Sequence, residues 1–94
     1  MATQHVSLKD LLQTINDLFA EEVGPVAELL SEESLRFWIA KAKKANKKPS
    51  LRNIHVYLTH LSQAIEDPQD RQRFISKVYD LDALTVYRPH KSTS

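Results

Sequence analysis

The side chains of this 94-residue chain that could carry out chemistry are its histidines, carboxylates, hydroxyls and bases, and their spacing argues against most reactions. Metal binding on one helix needs ligands three or four residues apart. His55 and His60 are five apart and project to different faces, while His5 and His90 lie near opposite ends of the chain, so no metal and no cofactor is expected. Ser, His and Asp residues occur, but none lies in a strand-turn-helix nucleophile setting, and no catalytic triad is expected. Glu21-Glu22 and Glu32-Glu33 fall at helix ends or first turns, where solvent and the helix dipole account for them without acid-base catalysis. The single glycine, Gly24, excludes phosphate-cradling loops, which need several residues free of a Cβ. With no cysteine there is no disulfide framework and no thiolate nucleophile, as suits a reducing cytoplasm. An enzyme is therefore the least favoured class.

Two features remain that could engage a partner. The first is the basic run from Lys41 to Arg52, in which Lys43, Lys44, Lys47, Lys48 and Arg52 could contact nucleic-acid phosphates in a salt-dependent, sequence-blind way. A helix-turn-helix arrangement can also be drawn, with residues 51 to 65 as recognition helix offering Arg52, Asn53, Val56 and Thr59. Against it, the lysines spread around the helix, bases near a helix C-terminus suit the dipole, and the pI is only about 8.0. The second feature is Phe37-Trp38. Adjacent residues on a helix project about 100° apart, so both rings cannot face one core. One of them must lie at a boundary, covered by the tail around Leu84, Val86 and Tyr87 or presented to a partner. Val56, off the main stripe of its own helix, adds a second apolar residue outside the expected core.

Charge is segregated along the chain. Residues 1 to 33 set Lys9 against Asp10, Asp17, Glu21, Glu22, Glu28, Glu32 and Glu33, a net of −6. Residues 34 to 60 hold Arg36, Lys41, Lys43, Lys44, Lys47, Lys48 and Arg52 with no acid, a net of +7. Such a division can steer a partner, but the favoured reading is self-complementary, with one part of the fold lying against the other. No export signal and no apolar run of membrane-spanning length is present, so a cytoplasmic location is expected.

The elements that position these residues follow from periodicity. Leu8, Leu11, Leu12, Ile15, Leu18, Phe19 and Val23 fall within an arc of about 140° on a helical wheel, predicting a helix over 8 to 22. Ser7 is its cap, Asp10 sits in its first turn, and Val6 is placed to staple against Leu11. Gly24-Pro25 then ends one helix and begins another. In the second helix Val26, Leu30 and Phe37 lie roughly opposite Leu35, Trp38, Ile39 and Ala42. Either one helix spans 25 to 45 between two packing surfaces, or the chain breaks at Ser31, which would cap a new helix; the continuous form is expected, since no glycine or proline marks a stop. Ser50 caps a third helix over 51 to 65, with Leu51, Ile54, Leu58, Leu61 and Ile65 on one face. Asp67 and Pro68 start a fourth, striped by Phe74, Ile75, Val78 and Leu81. The β-leaning run Leu84-Thr85-Val86-Tyr87 predicts an extended C-terminal tail.

The stretch from about Leu11 to Ala45 resembles a small, poorly characterised helical module found near the ends of some bacterial, especially cyanobacterial, signalling proteins. The matching positions are the Gly24-Pro25 step, which runs on through Val26 and Ala27, and Leu30; they cover about a third of the chain. The resemblance implies no catalytic residues.

The expected architecture is thus all-α, a bundle of four to five helices over residues 1 to 89, with residues 90 to 94 disordered. Its expected role is a non-catalytic adaptor or regulatory module that binds a protein partner or a second copy of itself through Phe37, Trp38, Val56, Val86 and Tyr87. The alternative is a nucleic-acid binder using Lys43, Lys44, Lys47, Lys48 and Arg52.

Overall fold

The structure, a computed structural model, describes residues 7–87. The first helix, α1 (Leu8–Val23), starts where expected because the Ser7 hydroxyl accepts from the Asp10 backbone N–H at 3.1 Å. Leu11, Ile15 and Phe19, one turn apart in succession, are its buried edge. The Val6 staple lies outside the described residues.

Gly24 closes α1 through a hydrogen bond from its N–H to the Ala20 carbonyl, at φ 76° and ψ −146°. This backbone region is essentially closed to residues with a Cβ. A Cβ here would meet nothing within 4 Å, so the backbone conformation alone demands glycine. Pro25 opens a 3₁₀ turn, Gly24–Val26, that feeds α2 (Ala27–Lys44) without a break at Ser31. The continuous helix is therefore the correct one of the two readings.

The two-sided apolar pattern of α2 has a simple origin. Its buried edge is Ala27, Ser34, Trp38 and Ala42, mostly small side chains that let α1 and α3 approach closely. Helix α2 ends on Asn46, at φ 59°, with Asn46 N–H bonded to the Lys43 carbonyl and Lys47 N–H to the Ala42 carbonyl. This double closure satisfies the last carbonyls in the way glycine usually permits, with asparagine taking the left-handed position.

A 3₁₀ turn, Leu51–Asn53, leads into α3 (Ile54–Ser62), which buries Ile54, Tyr57, Leu58 and Leu61. Ser50 holds the cap position in a capping box with Asn53, whose side-chain oxygen accepts from the Ser50 N–H at 2.9 Å. α3 stops three residues short of the expected 65. Its final turn loosens into i→i+3 bonds, and the Arg71 guanidinium donates to the Ile65 and Glu66 carbonyls. In α4 (Pro68–Tyr79), the Asp67 carboxylate accepts from Gln69 N–H at 2.8 Å and Pro68 holds the first helical position. Phe74 of α4 meets Phe19 of α1 with ring centroids 5.5 Å apart at the centre of the core.

The segment after α4 departs from expectation. Asp82–Tyr87 winds into 3₁₀ turns and is not extended. The β preference of Thr85 and Val86 is weak, whereas Leu84 gains full burial and its N–H bonds to the Leu81 carbonyl at 2.8 Å. The expected disordered end, residues 90 to 94, lies outside the described residues. Four helices and three short turns, with no strand among the described residues, make an all-α bundle around one core.

Candidate interaction surface

Which of Phe37 and Trp38 reaches the surface is decided by the neighbours of α2. Trp38 is 1% exposed, tilted against the Tyr57 ring at a centroid distance of 5.3 Å, and its indole N–H donates to the Asn53 side-chain oxygen at 2.9 Å. Trp38 is thus core, and its expected place in an interface is corrected: a satisfied, enclosed indole has no surface to offer. Phe37 is the ring at the boundary, 39% exposed.

Phe37 is held in place from two sides. Its ring stacks on the His60 imidazole at 4.3 Å with the planes 23° apart, and the Lys41 ammonium lies 5.7 Å from its centroid. His60 is itself fixed by a 2.8 Å hydrogen bond between Nδ1 and the Ser34 hydroxyl. An aromatic restrained in this way loses little side-chain freedom on binding. Between α2 and α3 a shallow depression is lined by Phe37, Lys41, His55, Val56, Thr59 and His60. Phe37 and Val56, both expected at a partner surface, therefore share one concavity, and His55 and His60 border it together in spite of their expected divergence.

Val86 and Tyr87 are exposed, Val86 at 80%, but the turn that carries them packs on α4 and on Leu51–Asn53. They border none of the depressions around Phe37. Of the expected five-residue cluster, the structure brings Phe37 and Val56 together in one depression.

Four of the basic residues, Lys41, Lys43, Lys44 and Lys47, line depressions with Phe37 or Val56. Lys43 and Lys44 line a second depression with Phe37, Ala40 and Lys41, and Lys47 borders a third with Val56 and Asn53. Lys48 and Arg52 are also exposed. Among the described residues none of Lys41, Lys43, Lys44, Lys47, Lys48 and Arg52 has a carboxylate partner. Complementary charges do meet within the fold, but between the acidic first third and the basic middle the ion pair among the described residues is local, Glu32 with Arg36 one turn on. Glu21 pairs with Lys77 at 3.2 Å and Glu22 with Arg73 at 3.3 Å, so the two acids at the end of α1 are answered by α4 and not by the basic middle of the chain.

Asn53, drawn above as a base-reading residue, is committed inside the protein. Its oxygen receives both the Trp38 indole and the Ser50 N–H, and its amide nitrogen donates to the Lys48 carbonyl at 3.1 Å. It ties the lysine-bearing loop to α2. The signal for this role was the Ser50-x-x-Asn53 spacing, in which the third residue reaches back to the cap.

Ser34 and His60 have the contact of a nucleophile and its base, but Ser34 is buried between α2 and α3 and no carboxylate orients the imidazole among the described residues. Among the described residues no three His, Asp or Glu side chains converge as a metal site. A separate groove between α1 and α2 has Tyr57 at its edge, with Asn16 and Ser31 joined by a hydrogen bond beside it. Burial raises the Tyr57 phenol above its ordinary value, opposed by its hydrogen bond with Ser31, and burial also raises Tyr79.

A family model described as a domain of unknown function, DUF8082, matches residues 10–85. Comparison with curated proteins and with solved structures yields no match.

Proposed function

The chain belongs to the DUF8082 family, and we propose that it works without catalysis, as a protein-interaction module of regulatory or adaptor type that docks through Phe37 and Val56. The observation that carries this reading is Phe37. It is a large ring kept at the surface by His60 and Lys41, beside Lys41, Lys43 and Lys44, which have no carboxylate partner among the described residues. Exposed aromatics fixed before binding are the usual anchors of protein interfaces, and a cationic rim selects partners of opposite sign. A cytoplasmic setting and the signalling context of the bacterial modules it resembles belong to the same proposal. No helix among the described residues is long and apolar enough to cross a membrane.

A photo-cross-linking residue in place of Phe37 tests the reading. It is expected to capture a polypeptide, while the same residue in place of exposed Gln72 on α4 captures none. Equal labelling from both positions, or from neither, contradicts it. The unpaired bases favour one second reading, a nucleic-acid contact through Lys43, Lys44, Lys47, Lys48 and Arg52. Filter binding of a duplex oligonucleotide separates the two, because phosphate contacts weaken steeply between about 50 and 200 mM salt. Absence of binding at the lower salt removes the second reading.

A further inference from the structure

We propose that the outward face of α2 pairs antiparallel with the same face of a second copy of this chain, a proposal that rests on the interaction reading and names its partner. Six large apolar side chains stand exposed among the described residues, and four of them, Val26, Leu29, Phe37 and Ile39, lie on α2 or on the turn leading into it. At about 100° per residue, Leu29, Glu33, Arg36 and Ala40 run down the middle of one face, with Phe37 at one edge and Ile39 at the other. All of these positions are exposed. Leu29, at 64%, contributes almost nothing to the core that would explain a leucine there.

Charge is divided along the same helix. Glu28, Glu32 and Glu33 occupy its N-terminal half, and Lys41, Lys43 and Lys44 its C-terminal half. Only Glu32 among them has an ion pair within the described residues, with Arg36 one turn on, and both partners are well exposed. A parallel second copy would set acid against acid and base against base. An antiparallel copy related by a two-fold axis near residue 38 sets Glu32 and Glu33 against Lys44 and Lys43 of the second copy, twice over by symmetry, and brings Phe37 and Ile39 of each copy level with those of the other. One face thus supplies both halves of its own complement, and the 18 residues of α2 give it a length of about 27 Å.

Sedimentation equilibrium of the full chain, at high micromolar concentration and low salt, is expected to give twice 10.8 kDa. The variants Glu32→Lys with Glu33→Lys, and Lys43→Glu with Lys44→Glu, change only exposed side chains and should keep their helical circular dichroism. Each alone is expected to sediment at 10.8 kDa, because its facing charges then repel, while an equal mixture of the two recovers the doubled mass. Ile39→Ser is expected to weaken pairing about tenfold. A native chain that stays at 10.8 kDa throughout, charge variants that pair as well as the native chain, or a mixture that remains monomeric overturns the proposal. The cross-linking experiment fails separately. Capture of a different polypeptide at position 37 by a chain that sediments as a monomer defeats self-pairing and leaves the interaction reading intact.

Discussion

Helices α1 and α4 make one region of the molecule and α2 another, and the two use the same residue types in opposite ways. Where α1 meets α4, the large apolar groups point inward: Phe19 and Phe74 touch in the core, and Glu21 and Glu22 find Lys77 and Arg73 across the helix contact. On α2 the inner edge is mostly alanine and serine around one tryptophan, while Leu29, Phe37 and Ile39 face outward beside lysines with no carboxylate partner among the described residues. The first region is accounted for by folding. The second carries apolar area and charge that folding does not use, and this surplus is the physical basis for assigning a partner to α2.

The contrast breaks if substitutions in the two regions have similar effects on stability. Phe74→Ala leaves a cavity in the closed core and is expected to lower unfolding free energy by about 3–5 kcal/mol in urea titration. Phe37→Ala loses a ring stack at a boundary and should lower it by about 1 kcal/mol. Comparable losses at the two positions would mean that Phe37 serves the fold.

Asn53→Ala comes next in size. It strands the buried Trp38 indole N–H and releases the Ser50 and Lys48 backbone, for an expected loss of about 1–3 kcal/mol, with a change in tryptophan fluorescence. An unchanged emission spectrum would show that the loop is not tied to α2 through this side chain.

The smallest effect concerns pH. Tyr57 and Tyr79 have phenols raised by burial above their ordinary value of 10.0, so the folded chain holds these protons after the unfolded chain has released them. Their contribution is fully present below pH 10 and declines as pH rises through the folded values. Denaturation midpoints should therefore fall on the alkaline side, and Tyr57→Phe should flatten that fall. A midpoint independent of pH in this range would contradict the burial of both phenols.

How much of this was legible in the sequence differs between the same two regions. The stripe of α1, the Ser7 and Asp67 caps and the Gly24-Pro25 step were readable because each is a local signal with a mechanism of its own. α2 was harder, since a buried edge of alanine and serine hardly registers as apolar, and the outward leucine, phenylalanine and isoleucine register strongly. The pattern named the helix correctly and left its inner face ambiguous. That one of Phe37 and Trp38 lies at a boundary follows from geometry alone. Which one it is depends on Asn53 lying 15 residues away in sequence and on the phenol-bearing face of α3, and these are tertiary facts. Asp82–Tyr87 defies its local pattern for a related reason: the burial of Leu84 outweighs the strand preference of its neighbours.

Helix α2 carries a face that the fold can spare and that the proposed pairing cannot. The most direct measurement pairs a urea midpoint at dilute concentration with a sedimentation mass at high concentration, for the native chain and for a Phe37→Ser, Ile39→Ser double variant. The expected result is a small shift in midpoint, about 1 kcal/mol, together with a fall from twice 10.8 kDa to 10.8 kDa. A variant that loses as much stability as Phe74→Ala, or that keeps the native mass, would contradict it.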